Sequence, residues 1–94
     1  MSIVARRLAV RGRVQGVGFR DGMCRFAREA GATGWVRNRR DGSVEALVQA
    51  APAVVEAVTQ WARRGPPAAR VDAIDVEDAT TDAALSTFDF RPTA

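Results

Sequence analysis

The sequence predicts an α+β sandwich, with one antiparallel sheet and two helices packed on a single face. Three observations lead there. Three stretches place apolar residues on one side as half-buried strands do, and a fourth, short one leads into a hairpin turn. Two others repeat apolar residues at helical spacing. Their order is β-α-β-β-α-β, with a short alternating tail.

Each element is legible in turn. Arg7 to Val14 alternates, with Leu8, Val10, Gly12 and Val14 on one side and Arg7, Ala9, Arg11 and Arg13 on the other. After the glycine-bearing Gln15-Gly16-Val17-Gly18, residues Phe19, Met23, Phe26, Ala27 and Ala30 fall on one helical stripe, and Gly31 suits the position just past the helix end. Gly22 weakens the first turn of that helix. Trp35 to Asn38 is a short strand, Arg39-Arg40-Asp41-Gly42 a hairpin turn marked by its Asp-Gly pair, and Ser43 to Ala50 the returning strand with Val44, Ala46 and Val48 inward. Pro52 fits the start of a helix with the stripe Val54, Val55, Val58, Trp61 and Ala62, which Gly65-Pro66-Pro67 ends. Val71 to Glu77 reads as a strand with Ile74 and Val76 inward, Asp78 to Asp82 as a loop, and Phe88 with Phe90 as a last short strand.

Connectivity restricts the topology. Each β-α-β crossover makes its two strands parallel, and the split form of the unit leaves room for another strand between them. The hairpin sets strand three antiparallel beside strand two. Strand three therefore lies between one and two, and strand one between three and four. The expected order is 4-1-3-2, antiparallel throughout, with both helices on one face: a ferredoxin-like sandwich. Pattern alone does not place the terminal strand.

The 94 residues make one small domain, expected to span 1–94. At 47% hydrophobic and 27% charged, the chain is not of disordered composition. No apolar run approaches the roughly 20 residues of a membrane span. Met1 to Val10 includes Arg6 and Arg7 and lacks the apolar core of a secretory leader. One cysteine, Cys24, and no histidine exclude an internal disulfide, structural zinc and histidine-based catalysis. All 14 basic residues are Arg, a fork suited to phosphates and carboxylates. The net charge of +3 admits nucleic acid as a partner, although a bias in composition explains the total as well. Cys24 is expected to be a packing residue, Trp35 and Trp61 core or sheet-face residues, and Asp72, Asp75, Glu77 and Asp78 a solvated edge. Glu45 and Gln49 fall on the sheet face opposite the helices, where cross-strand charge pairing is expected.

The segment that bears chemistry is Gly12-Arg13-Val14-Gln15-Gly16-Val17-Gly18-Phe19-Arg20, a strand, a two-glycine loop and a helix start. Small residues let successive backbone N–H groups converge on an anion, and the helix adds its free amides and positive dipole end. Arg20 at the entrance can make paired hydrogen bonds to phosphate oxygens. Taken alone, the glycines favour an ordinary turn, with Arg20 a solvated residue at the helix start. Gly34-Trp35-Val36-Arg37-Asn38 ends at the same sheet edge, because strands one and two run parallel. A side-chain amide there supplies a donor and an acceptor, enough to hold a water, although Asn at a strand end is also a common turn residue.

Together these segments resemble the acylphosphatase family. The likeness extends through GRVQGVGFR at Gly12–Arg20, GWVRN with DGSVE at Gly34–Glu45, RRGPP at Arg63–Pro67 and Phe88-Asp89-Phe90-Arg91. It implies the ferredoxin-like fold and hydrolysis of the carboxyl-phosphate bond of small acyl phosphates to a carboxylate and inorganic phosphate. It maps the phosphate-binding arginine onto Arg20 and the water-orienting asparagine onto Asn38. The phosphate cradle falls on Gln15, Gly16, Val17, Gly18 and Phe19, mainly through backbone amides. It further implies a cytoplasmic, metal-independent enzyme without cofactor; a monomer inhibited by its phosphate product is expected. Two positions depart from the family pattern. Asp21 stands where many members carry an aromatic or other uncharged residue and is suited to capping the helix or meeting its dipole. Arg39 stands where some members carry a hydroxyl, and either helps hold the substrate or faces solvent. The competing readings are a non-catalytic anion- or RNA-binding ferredoxin-like module and an accessory domain that passes carbamoyl phosphate to a partner. With two Trp, four Phe and no Tyr, most of them on core stripes, the chain offers little platform for stacking bases.

Overall fold

The computed structural model describes residues 2–94. Met1, which opens both the segment weighed as a leader and the expected 1–94 domain, lies outside the described residues. The elements follow the expected order: β1 (Val4–Arg13), α1 (Phe19–Ala30), β2 (Thr33–Asn38), β3 (Val44–Ala50), α2 (Pro52–Arg64), β4 (Arg70–Ala79) and β5 (Phe88–Phe90). The sheet order is β4-β1-β3-β2-β5. The first four strands are antiparallel to their neighbours, as the split crossover requires. The terminal strand joins the free edge of β2 in parallel, with Gly34 opposite Phe88 and Val36 opposite Phe90, so the sheet as a whole is mixed.

Three expectations need correction. β1 ends at Arg13, opposite Arg70 at the start of β4, and a bulge at Arg11/Gly12 puts Gly12 at the surface instead of on the inner row. β4 continues through Asp78 to Ala79, where a loop was expected, because β1 offers partners as far as Ala5. Val76, expected inward, is 40% exposed, since an edge strand has a neighbour on one side only.

The core lies between the sheet and the helices. Leu8, Val10, Val36, Val44, Val48 and Phe88 from the sheet join Phe19, Met23 and Val58 from the helices, all essentially inaccessible. Burial of each such side chain stabilises the fold by about 1.5–3 kcal/mol. The two helices meet through Phe19 and Trp61, whose rings pack edge to face at 5.3 Å. Gly22 is explained by this contact: a Cβ there would stand 2.8 Å from Trp61 Cζ2. Gly31 ends α1 by donating its N–H to Arg28 O at 3.2 Å, while Ala32 N–H reaches Ala27 O at 2.9 Å. Cys24 is buried in α1, and burial raises its thiol pKa. No helix of the described residues is long and apolar enough to cross a membrane.

On the opposite sheet face, Glu45 is almost fully buried under arginine side chains. It accepts from Arg37 at 2.7 Å and from Arg7 at 3.3 Å, and pairs with Arg39 at 3.3 Å. Gln49 exchanges two hydrogen bonds with the Asp82 backbone, tying down the loop after β4.

Candidate active site

Strand β1 delivers the chain to the sheet end, and α1 departs from there. Between them Gly16 (φ 70°) and Gly18 (φ 83°) adopt left-handed backbone, which a side-chain-bearing residue would occupy under strain. Gly18 is the N-cap of α1, and no side chain caps the helix. The first intrahelical bond runs from Gly22 N–H to Gly18 O at 3.0 Å. The N–H groups of Phe19, Arg20 and Asp21 therefore lack intrahelical acceptors. They open at a concavity of about 150 Å³ lined by Val14, Gly16, Gly18, Phe19, Arg20, Asp21 and Phe90.

Arg20 is half-buried, and its guanidinium lies 5.6 Å from the centroid of the Phe90 ring. Among the described residues it makes no ion pair, so its hydrogen-bond donors remain available. Phe19 is buried, with its ring committed to Trp61, which leaves its main chain for a ligand. Val17 packs against the core. Gln15 turns its side chain away from the pocket: Nε2 donates to Arg39 O at 2.7 Å and to Ser43 O at 2.9 Å. The loop is thereby fastened to both sides of the hairpin that follows Asn38. Asp21 does not cap the helix; it pairs with Arg25 one turn on, at 3.3 Å.

Asn38 is the last residue of β2. In register it faces Val44, which on its other side faces Val10, so Asn38 stands two strand spacings, about 10 Å, from β1. It is not among the residues that line the concavity. It shares the parity of Val36 and thus the helix-bearing side of the sheet. Phe90, beneath Arg20, pairs with Val36, two residues before Asn38. The Asn38 backbone oxygen accepts from Ala94 N–H at 3.0 Å. Its side-chain Oδ1 is the one buried side-chain oxygen or nitrogen without a partner among the described residues. An unmet acceptor in such a place is costly unless water or a ligand fills it.

Phe90 is the pocket residue that the sequence reading missed as part of the site. Its signal was the Phe88/Phe90 alternation. Phe88 enters the core, whereas Phe90 emerges at the sheet end. Arg39 belongs to the Glu45 network on the opposite face. No group of three or more His, Cys, Asp or Glu among the described residues is placed to hold a metal.

The fold is a ferredoxin-like α+β sandwich with an open, uncapped strand-to-helix junction, beside an arginine that has no ion pair among the described residues, an arrangement chemically suited to an anion. A family model, acylphosphatase, matches residues 6–90. The chain is 54% identical over 93 residues to an acylphosphatase of Azoarcus sp. (strain BH72), covering 98% of this chain and 93% of that one. In three dimensions it matches an acylphosphatase from Coxiella burnetii at a TM-score of 0.89 and 32% identity, over 95% and 93% of the two chains. It also matches full-length HypF in its phosphate- and nucleotide-bound form at a TM-score of 0.88 and 26% identity, over 98% of this chain and 12% of that one. The chain belongs to the acylphosphatase family, and its activity is that family's: it is a hydrolase of small acyl phosphates.

Proposed function

We propose that the concavity between Gly16 and Arg20 binds the phosphoryl group of the acyl phosphate, and that Asn38 orients the attacking water. The observation that carries this reading is the uncapped start of α1, with the amides of Phe19, Arg20 and Asp21 unclaimed by the helix beside an arginine that has no ion pair among the described residues. Such donors, fixed before the substrate arrives, stabilise charge on the equatorial phosphoryl oxygens as it shifts during transfer. The water oxygen bonds to phosphorus as the phosphorus–oxygen bond to the acyl group breaks. The carboxylate leaves with the electron pair, and the water proton passes to a phosphoryl oxygen. A carboxylic acid of pKa about 4–5 needs no general acid to depart, which suits a chain without histidine. The unpartnered Oδ1 of Asn38 supports its role as the acceptor that aligns the water.

Arg20 and the loop amides supply the positive field in place of a metal, and inorganic phosphate competes for the same donors. The enzyme acts as a single-domain monomer in the cytoplasm. Its long free edge, β4, bears Asp72, Asp75, Glu77 and Asp78, which oppose pairing with a second copy. A buried, unpaired Cys24 accords with a reducing compartment.

The test is phosphate release from benzoyl or acetyl phosphate after exhaustive chelation. Wild type is expected to retain its rate. Arg20→Ala is expected to lose about a thousandfold in turnover and to respond weakly to inorganic phosphate. Arg20→Lys should rescue poorly, because an ammonium lacks the planar fork. Near-wild-type turnover in folded Arg20→Ala, or loss on chelation restored by magnesium, would falsify this assignment.

A further inference from the structure

Three large apolar side chains are exposed among the described residues: Ile3, Val76 and Phe90. Val76 lies on β4, the far edge of the sheet from β5, and Ile3 lines a surface hollow with residues at the end of β4. Phe90 alone of the three lines the phosphate concavity. It is 47% exposed, and its backbone is fixed on both sides. Gly34 N–H donates to Thr87 O at 3.0 Å and Arg91 N–H to Val36 O at 2.9 Å, while Arg28 Nε holds Phe88 O at 2.8 Å. A rigidly held, half-open ring beside the phosphate donors offers apolar surface that a ligand can cover at little cost in ordering.

The other wall of the same mouth is Asp21, whose side chain is 69% exposed. Its partner Arg25 is outside the lining, and an exposed pair of this kind binds weakly. The mouth thus combines a flat apolar surface with a negative charge, next to a floor that attracts phosphate.

We propose that this mouth selects the acyl group: Phe90 forms the wall for an aromatic or aliphatic acyl chain, and Asp21 disfavours acyl phosphates that bear a second negative charge. The proposal rests on the Gly16–Arg20 cradle being the phosphate site. With the phosphoryl group on the loop amides, the acyl substituent points outward past these two side chains. An uncharged aromatic acyl group covers the Phe90 ring, whereas a second carboxylate meets Asp21.

The experiment compares kcat/KM for benzoyl, acetyl and succinyl phosphate on wild type, Phe90→Ala, Phe90→Leu, Asp21→Asn and Arg20→Ala. Wild type should rank benzoyl over acetyl over succinyl phosphate. Phe90→Ala should cut the benzoyl-to-acetyl ratio by about threefold to tenfold, and Phe90→Leu should fall between it and wild type. Asp21→Asn should raise the succinyl-to-acetyl ratio by about threefold at low ionic strength, and the gain should fade in about 0.5 M salt. Equal losses for benzoyl and acetyl phosphate in Phe90→Ala, with weaker phosphate inhibition, mean that the ring only orients Arg20 and overturn the wall. An unchanged succinyl ratio in Asp21→Asn overturns the charge filter. Full turnover in Arg20→Ala overturns the cradle and the mouth with it. Loss of turnover there, with unchanged ratios in the other variants, overturns the mouth alone.

Discussion

Arginine serves opposite purposes on the open face of the sheet and at its pocket end. On the open face, Arg7, Arg37 and Arg39 converge on one carboxylate, Glu45, whose side chain is 4% exposed. At the pocket end, Arg20 has an aromatic ring for a neighbour and, among the described residues, no carboxylate partner. The amide side chains repeat the contrast. Gln49 and Gln15 spend their donors on backbone carbonyls, whereas Asn38 keeps a buried oxygen without a partner. Where every polar group is satisfied, the network fixes shape. Where donors at the start of α1 and an acceptor at the end of β2 stay unsatisfied near one end of the sheet, the cost falls on stability unless water or a ligand meets them.

Asn38 gives the sharpest way to break this comparison. Asn38→Ala should lower turnover about a hundredfold, or about 3 kcal/mol of barrier, while phosphate inhibition stays close to wild type. Asn38→Asp has the same size but adds negative charge beside an anionic substrate, so it should lose both turnover and phosphate binding. Steady-state kinetics with phosphate as inhibitor, and circular dichroism as a fold check, measure both variants. A folded Asn38→Ala that turns over like wild type would reduce Asn38 to a turn residue. The gain in stability from removing an unmet acceptor would then be its sole effect.

Much of this was legible in the sequence, and the exceptions have physical causes. The alternation of Leu8 and Val10, of Val44, Ala46 and Val48, and the stripe of Phe19, Met23 and Ala27 depend on a core that covers one side of each element. Such elements follow from period alone. Val76 misled because periodicity reports which side a residue faces, not whether anything covers it. The placement of β5 was beyond pattern, since three residues carry little register information and Arg28, distant in sequence, helps hold them. The left-handed turn of the loop was recognisable because its backbone conformation is encoded by Gly16 and Gly18. Gln15 was legible only as part of the loop. Its bonds to Arg39 O and Ser43 O depend on a tertiary meeting that no local spacing records. The same holds for Phe90 beneath Arg20.

Glu45 tests the other half of the comparison. Glu45→Gln keeps the shape but removes the charge that three guanidinium groups share. Stability should fall by about 1–3 kcal/mol at neutral pH, read as a lower denaturation midpoint, with turnover of the folded enzyme retained. Burial alone would push the Glu45 carboxyl up, but the hydrogen bonds and charges of Arg37, then Arg7 and Arg39, outweigh it and hold the folded value below 4.5. A lowered folded value means that the carboxylate contributes fully above its unfolded value and loses that contribution as pH falls through the folded one. The stability gap between wild type and Glu45→Gln should therefore be constant near neutrality and close as pH drops below 4.5. A gap independent of pH would assign the loss to altered packing.

The smallest effect is expected at Cys24, which lies in α1 one turn after Arg20 and yet belongs to the satisfied interior. Burial raises its thiol pKa most strongly, Arg28 opposes this, and Asp89 and Asp21 add to it. The thiolate is thus disfavoured in the native protein at neutral pH, and the side chain is 2% exposed. Thiol reagents should label it slowly unless denaturant is present, and labelling should follow unfolding instead of depending on phosphate in the pocket. Cys24→Ser places a hydroxyl in the same volume, within reach of the Arg20 carbonyl one turn earlier, so its hydrogen bond need not go unmet. The expected loss is about 1 kcal/mol of stability with turnover close to wild type. If a folded Cys24→Ser lost turnover, or if phosphate protected the native thiol from labelling, Cys24 would have to be counted with Arg20 and Asn38 among the groups proposed to act on the substrate.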